Sequence, residues 1–235
     1  MLALPRDTPL PRTPAADATL VAYGLLSLTN VVAVGAGASG LSNVTQWLLI
    51  PTLAAGFLLL PPRGPAPLPR LRTATLTGLA FSWLGDVLPD LVPSGVSFLA
   101  MVGAFLCAQV AFSVGFWPMR GESLLRRPAV LGYAVVYLAL MAACLPGAGS
   151  LRVPVLVYGL VLTTMAVLAT GVGLRTGVGG LVFMLSDALI ALGEFRHWDS
   201  RPLSVAVMAT YAVAEVLLVM GVQGRRAASV GGPPG

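Results

Sequence analysis

Eight apolar stretches, at 17–36, 44–60, 71–91, 95–117, 129–145, 153–170, 176–192 and 202–222, follow one another along the chain with only short links between them. Each is close to the ~20 residues that a helix needs to cross the hydrocarbon of a bilayer. Inside lipid a backbone has to satisfy its own N–H and C=O groups, and a helix does this within a single segment. The expected fold is therefore all-α: a polytopic bundle of eight transmembrane helices. Residues 1–16 are rich in proline and read as a disordered tail, 17–222 as the membrane domain, and 223–235 as a second disordered tail. The run at 17–36 is longer than the roughly 7–15 apolar residues of a signal peptide, so it is expected to be retained. A proline-rich stretch at 61–70 reads as a stiff, polyproline-like connector.

Charge decides the orientation. Only 10% of the residues are charged, and all fourteen basic residues are arginine. Eleven of them fall in the two tails and in the links after the second, fourth and sixth runs, against three in the alternate links. The positive-inside rule then places both termini in the cytoplasm. Arginine without lysine suggests a GC-rich bacterial genome and hence the bacterial inner membrane. The arginines are scattered among short links instead of clustering beside exposed aromatics, so no nucleic-acid partner is expected. Cys107 and Cys144 sit inside apolar runs and read as small lipid- or core-facing side chains. A single histidine, His197, makes a zinc centre implausible, and no metal or other cofactor is expected.

Against that apolar background three acids stand out: Asp86, Asp187 and Glu215, each well inside a run and with no arginine at similar depth. An ionisable group at mid-membrane costs about 2.5–3.5 kcal/mol on insertion scales, so such groups face a bundle interior or a wet cavity. Helical spacing puts Ser82, Asp86 and Asp90 on one face, Tyr211 and Glu215 on another, and Asp187 beside Ser186 on a third. The structural alternative for each acid is packing, a carboxyl hydrogen-bonding between helices. Two carboxyls brought close together can hold one proton between them, so that one donates it while the other stabilises a cation. Nucleophilic catalysis lacks its usual signatures: there is no Gly-x-Ser-x-Gly elbow, and the lone histidine lies in a link. Asp90, Glu194, Arg196, His197 and Asp199 read as solvated charges at span ends. Tyr133 and Tyr137 read as packing or interface residues. The glycine spacing of Gly173 to Gly177 matches a helix-pairing motif, but Arg175 in its middle makes it read as a loop.

The two acidic stretches, Phe81-Ser82-Trp83-Leu84-Gly85-Asp86-Val87-Leu88 and Gly180-Leu181-Val182-Phe183-Met184-Leu185-Ser186-Asp187-Ala188-Leu189, carry a resemblance. With Gly103-Ala104-Phe105-Leu106, Pro154-Val155-Leu156-Val157-Tyr158, Met165 and Tyr211, in this order over roughly residues 20 to 222, the sequence resembles the YhhN family of membrane proteins, which includes the lysoplasmalogenases. The resemblance implies an eight-span enzyme that hydrolyses the vinyl-ether bond of a lysoplasmalogen (lysoplasmenyl-ethanolamine or -choline), releasing a fatty aldehyde and a glycerophospho-base. Its partners would be a lysophospholipid or related ether lipid and the bilayer itself. The family's two motif acids fall on Asp86 and Asp187, which become the expected catalytic pair, one as proton donor and one as cation stabiliser, with the assignment open. Ser82, Ser186, Tyr158, Tyr211, Glu215 and Gln109 are the expected substrate-binding residues. The sequence departs from the family pattern in having Gln46-Trp47 where Lys-Pro is common, Gln109 for a frequent His, Phe112 for Tyr, Glu215 for Gln, and Pro89 after the first motif. Two other classes stay open at this point: a small proton-coupled carrier, since acids in spans also mark ion pathways, and a non-catalytic lipid-binding protein.

Overall fold

The computed structural model describes residues 14–60, 68–198 and 200–225. The expected tails at 1–13 and 226–235, most of the proline connector (61–67) and Asp199 lie outside the described residues. Among the described residues the chain forms eight α-helices: α1 (Pro14–Ala36), α2 (Ser39–Leu59), α3 (Pro69–Leu91), α4 (Ser94–Phe116), α5 (Val130–Cys144), α6 (Arg152–Val172), α7 (Leu174–Arg196) and α8 (Arg201–Gly224). The protein is a polytopic helical membrane bundle. Six of the helices are long and apolar enough to cross a bilayer on length and composition alone. Helix α5 is shorter, at 15 residues. Helix α3 has the length, 23 residues, but is made more polar by Arg70, Arg72, three threonines, Asp86 and Asp90.

Helix ends differ from expectation where local chemistry extends them. Pro14 to Ala16, expected in the tail, form the first turn of α1, and Pro69 and Arg70, expected in the connector, start α3 with proline at the helix start. Proline is preorganised for that position and its missing N–H is not needed there. The segment from Gly173 to Gly177 is a helix start and not a loop. Gly173 breaks the chain at φ 156°, ψ 172°, a region essentially reserved for glycine, and α7 begins on the next residue. Glu194 and Arg196 belong to the last turn of α7, which His197 closes in the left-handed conformation (φ 55°). At the start of α8 the Ser200 hydroxyl accepts a hydrogen bond from the Leu203 N–H at 3.4 Å.

Three hairpins, α1/α2, α3/α4 and α7/α8, form the tightest helix pairs, and α8 runs through the middle of the bundle in contact with α1, α2, α3, α6 and α7. Small residues permit the close approach, as expected where lipid gives no hydrophobic drive between helices. A Cβ on Gly78 would lie 2.6 Å from the Phe112 ring, and one on Gly85 2.7 Å from Phe105, so α3 presses its backbone against aromatic side chains of α4. Phe57, Phe112, Phe116, Phe183, Leu49, Met165, Leu168 and Leu218 fill the interior. The outward faces are apolar too: Val21, Leu25, Leu28 and Val32 form a helical stripe on α1, each more than half exposed.

One end of the bundle is stitched together by side chains. The Gln223 amide donates to the carbonyls of Phe57 (2.8 Å) and Leu60 (3.3 Å). Arg72 donates to Gln223 Oε1 at 3.2 Å with its guanidinium 4.8 Å from the centre of the Phe57 ring. Gln223 thus belongs to the folded domain and not to a tail. Nearby, Arg225 pairs with Glu122 at 2.5 Å and donates to the carbonyls of Gly171 and Val172, which are left free where α6 ends.

Candidate functional site

At the opposite end, where α3 and α7 finish and α2, α4 and α8 begin, the helices enclose a cavity of about 250 Å³. Asp86 and Asp187 both line it. They stand five and nine residues before the ends of α3 and α7, which at 1.5 Å per residue is ~8 and ~14 Å below the helix ends. Both are buried, at 4% and 7% exposure.

The two carboxyls are held differently. Asp86 accepts at both oxygens, from the Tyr211 hydroxyl at 2.8 Å and from the Gln46 amide at 3.3 Å. Asp187 accepts at Oδ2 from the Tyr158 hydroxyl at 2.5 Å, and its other oxygen has no protein donor among the described residues. Asp86 thus has both oxygens supplied with donors, whereas Asp187 has one oxygen supplied. An aromatic cluster separates the pair from the core. Phe105, Phe183 and Tyr211 meet edge to face, with ring centres 5.8–6.2 Å apart. Tyr211 is thereby locked by packing on its ring and by Asp86 on its hydroxyl.

The remaining expected residues divide. Tyr158 and Tyr211 contact the acids directly. Ser186 lines the cavity but spends its hydroxyl on the Val207 carbonyl at 3.1 Å, joining α7 to α8. Ser82, Gln109 and Glu215 do not line the cavity. All three are fully buried, and none makes a hydrogen bond among the described residues, although Ser82 lies beside Glu215 and Gln109 beside Tyr158.

Sequence reasoning passed over Gln46 as a site residue and treated Asp90 as a solvated end charge. Gln46 is a cavity wall and an Asp86 partner; its signal was an amide in the apolar run of α2. Asp90 lines the cavity mouth and accepts from the Trp47 indole at 3.0 Å, while the Trp83 indole donates to the Trp47 carbonyl at 2.9 Å. Together these bonds fix α2 against α3 at the rim. No group of three or more His, Cys, Asp or Glu side chains stands ready for a metal among the described residues.

A buried pair of acids, one fully supplied with donors and one half supplied, beside a small water-accessible space is suited to moving a proton onto and off a substrate while an adjacent anion faces developing positive charge. Comparison with known proteins points the same way. The YhhN family matches residues 41–222. Two proteins named lysoplasmalogenase, from Mycobacterium bovis and Mycobacterium tuberculosis, are each 31% identical over 163 residues, which is 66% of this chain and 62% of theirs. The chain thus spans under two thirds of the length of these relatives. No solved structure matches the chain.

Proposed function

The chain belongs to the YhhN family, and from that premise we propose that it hydrolyses the vinyl-ether bond of a lysoplasmalogen to a fatty aldehyde and a glycerophospho-base. The observation that carries the reading is the meeting of Asp86 and Asp187, from two separate helices of an apolar bundle, in one cavity. Vinyl-ether cleavage needs the chemistry that such a pair offers. A carboxylic acid protonates the β-carbon of the enol ether, an oxocarbenium ion forms beside a carboxylate, water captures it, and the hemiacetal collapses. Cation stabilisation by a second carboxylate parallels glycoside hydrolysis. The Tyr211 and Gln46 donors hold one acid in position, and Tyr158 holds the other. The relatives' name supports the same substrate class. The setting we propose is the bacterial inner membrane, with both termini cytoplasmic and the cavity opening outward.

The test uses purified protein in detergent with lysoplasmenyl-ethanolamine offered beside its acyl and alkyl analogues, reading aldehyde release. Wild type should release aldehyde from the alkenyl lipid alone, and Asp86→Asn and Asp187→Asn should each lower the rate by about 10²-fold or more, the low end for loss of a general acid or base. Aldehyde release unaffected by either substitution refutes the two-carboxylate reading.

A further inference from the structure

Asp187 borders a second space. On its far side lies an apolar cavity of about 60 Å³, walled by α4, α5, α6 and α7. It shares Met101, Phe105, Asp187 and Ile190 with the wetter cavity, and Tyr158, the donor to Asp187, is part of its wall. Toward the ends of α5 and α7 and the start of α4, Phe98, Leu140 and Phe195 also line it. Helices α4 and α5 form two sides of this space, yet among the described residues they are the one pair of consecutive helices with no Cα–Cα approach within 8 Å. The chain between them turns against α6, which contacts both, so a fissure separates the α4 and α5 backbones, and Leu99 of α4, in the wall of this space, is 46% exposed.

We infer that the fissure between α4 and α5 is a lateral entrance for the aliphatic chain of the lipid substrate, which seats its first carbons in the apolar cavity beside Asp187 and leaves the remainder in the bilayer. The inference rests on the proposed hydrolysis and orients the substrate within it. The cavity holds roughly two water-sized groups, enough for the two methylenes next to the reacting bond. A glycerophosphate has no polar partner among Phe98, Leu140 and Phe195, whereas the wetter cavity on the Asp86 side is bordered by the Asn43 amide. The head group therefore lies toward Asp86 and the hydrocarbon toward Asp187.

That orientation assigns the two acids. The vinyl carbon that bears the chain is the one that accepts the proton, and it faces Asp187. Asp187 gives up its proton and the vinyl π pair forms the new C–H bond, leaving positive charge shared between the other vinyl carbon and the ether oxygen, opposite the Asp86 carboxylate. Water adds to that carbon and its proton passes to Asp86. The hemiacetal then breaks its bond to the glycerol oxygen, which takes the proton from Asp86, while the hemiacetal hydroxyl returns a proton to Asp187. One water is consumed and both carboxyls end as they began.

The test is a photolabelling experiment that does not depend on turnover. A non-hydrolysable alkyl-ether lysophosphoethanolamine with a diazirine at the third chain carbon is irradiated with the detergent-purified full chain and the crosslinks are mapped. Saturable labelling of α4, α5 and the start of α6, competed by unlabelled lysolipid, is expected; saturable labelling confined to α1, α2 or α8, or no saturable labelling, overturns the inference. Val102→Trp and, as an independent variant, Leu140→Trp should weaken labelling by about 15-fold, two methylenes at roughly fourfold each. Unchanged labelling in both folded variants also overturns it. With active enzyme, rates at equal membrane mole fraction should be flat from ten to eighteen chain carbons, and a sharp optimum, the mark of a closed tunnel, counts against an open fissure. Absence of aldehyde from every alkenyl lipid refutes the proposed hydrolysis, while the crosslinks still decide the entrance.

Discussion

Removing one oxygen atom from Tyr211 isolates what its hydroxyl does. Tyr211→Phe keeps the ring, so the edge-to-face contacts with Phe105 at 5.8 Å and Phe183 at 5.9 Å remain and the side chain, 4% exposed, stays packed. What is lost is the 2.8 Å hydrogen bond to Asp86, leaving Gln46 at 3.3 Å as its remaining donor among the described residues. A hydrogen bond to a charged group contributes about 1.5–3 kcal/mol. If the bond serves Asp86 as an anion facing a developing cation, that energy appears in the barrier and the rate falls roughly 13- to 160-fold at ~1.4 kcal/mol per tenfold. The loss should fall on kcat, with KM little changed, because Tyr211 acts on Asp86 and not on the lipid. Aldehyde release in detergent, with a thermal melt to confirm an intact bundle, measures this. Tyr133→Phe, on the half-buried Tyr133 remote from both acids, is the control and should match wild type. A Tyr211→Phe protein that melts like wild type and works within about twofold of it, well inside the loss expected for a charged hydrogen bond, refutes the role given to Asp86.

Gln46→Leu removes the longer and weaker of the two Asp86 bonds and should cost less, roughly 2- to 13-fold in rate for about 0.5–1.5 kcal/mol; a larger loss than in Tyr211→Phe reverses their order. Gly221→Ala should destabilise the bundle without touching the site, since the new Cβ meets Thr176 at its hydroxyl and lies 2.6 Å from its backbone nitrogen. Overpacking of that kind costs about 1–3 kcal/mol, and a thermal midpoint in detergent should drop by roughly 2–12 °C. At the stitched end, the Glu122 carboxyl is held below its usual value of 4.5 chiefly by its hydrogen bond from Arg225. A depressed acid adds stability above its unfolded value and loses it as pH falls through the folded one. Glu122 is 61% exposed, so the contribution stays under about 1 kcal/mol. Wild type should melt slightly above Glu122→Gln at pH 7, and the two should converge below pH 4.5; a gap that widens in acid contradicts this.

The bundle was legible in the sequence because bilayer thickness sets a length, and apolar runs of that length leave few states open. Ends were less legible. The Gly173 break and the helix starting at Leu174 depend on a backbone conformation that composition does not reveal, and Arg175 at a helix start looks like a link until the helix is seen to reach the interface. At the site, periodicity told which face of α3 or α7 carries an acid and not which neighbour that face meets. The bond from Gln46 to Asp86 spans forty residues, and that from Tyr211 to Asp86 spans 125. Ser82 shows the same limit in reverse: it sits one turn from Asp86 on the same face, yet the aromatic cluster that closes the cavity floor leaves it in the buried layer with Glu215. Only the packing of Phe105, Phe183 and Tyr211 separates what the spacing had joined.

The stitched end has a consequence for where the reaction's halves go. Arg72, Gln223 and Phe57 tie α2, α3 and α8 together at one end of the bundle, and none of the residues that line the Asp86 cavity lies at that end. For the proposed hydrolysis, water and the glycerophospho-base share a single doorway at the α3/α7 end, while the aldehyde withdraws sideways into the leaflet. Cleavage then sorts its products by phase: the soluble half is delivered to one compartment only, and the reactive half never crosses open water.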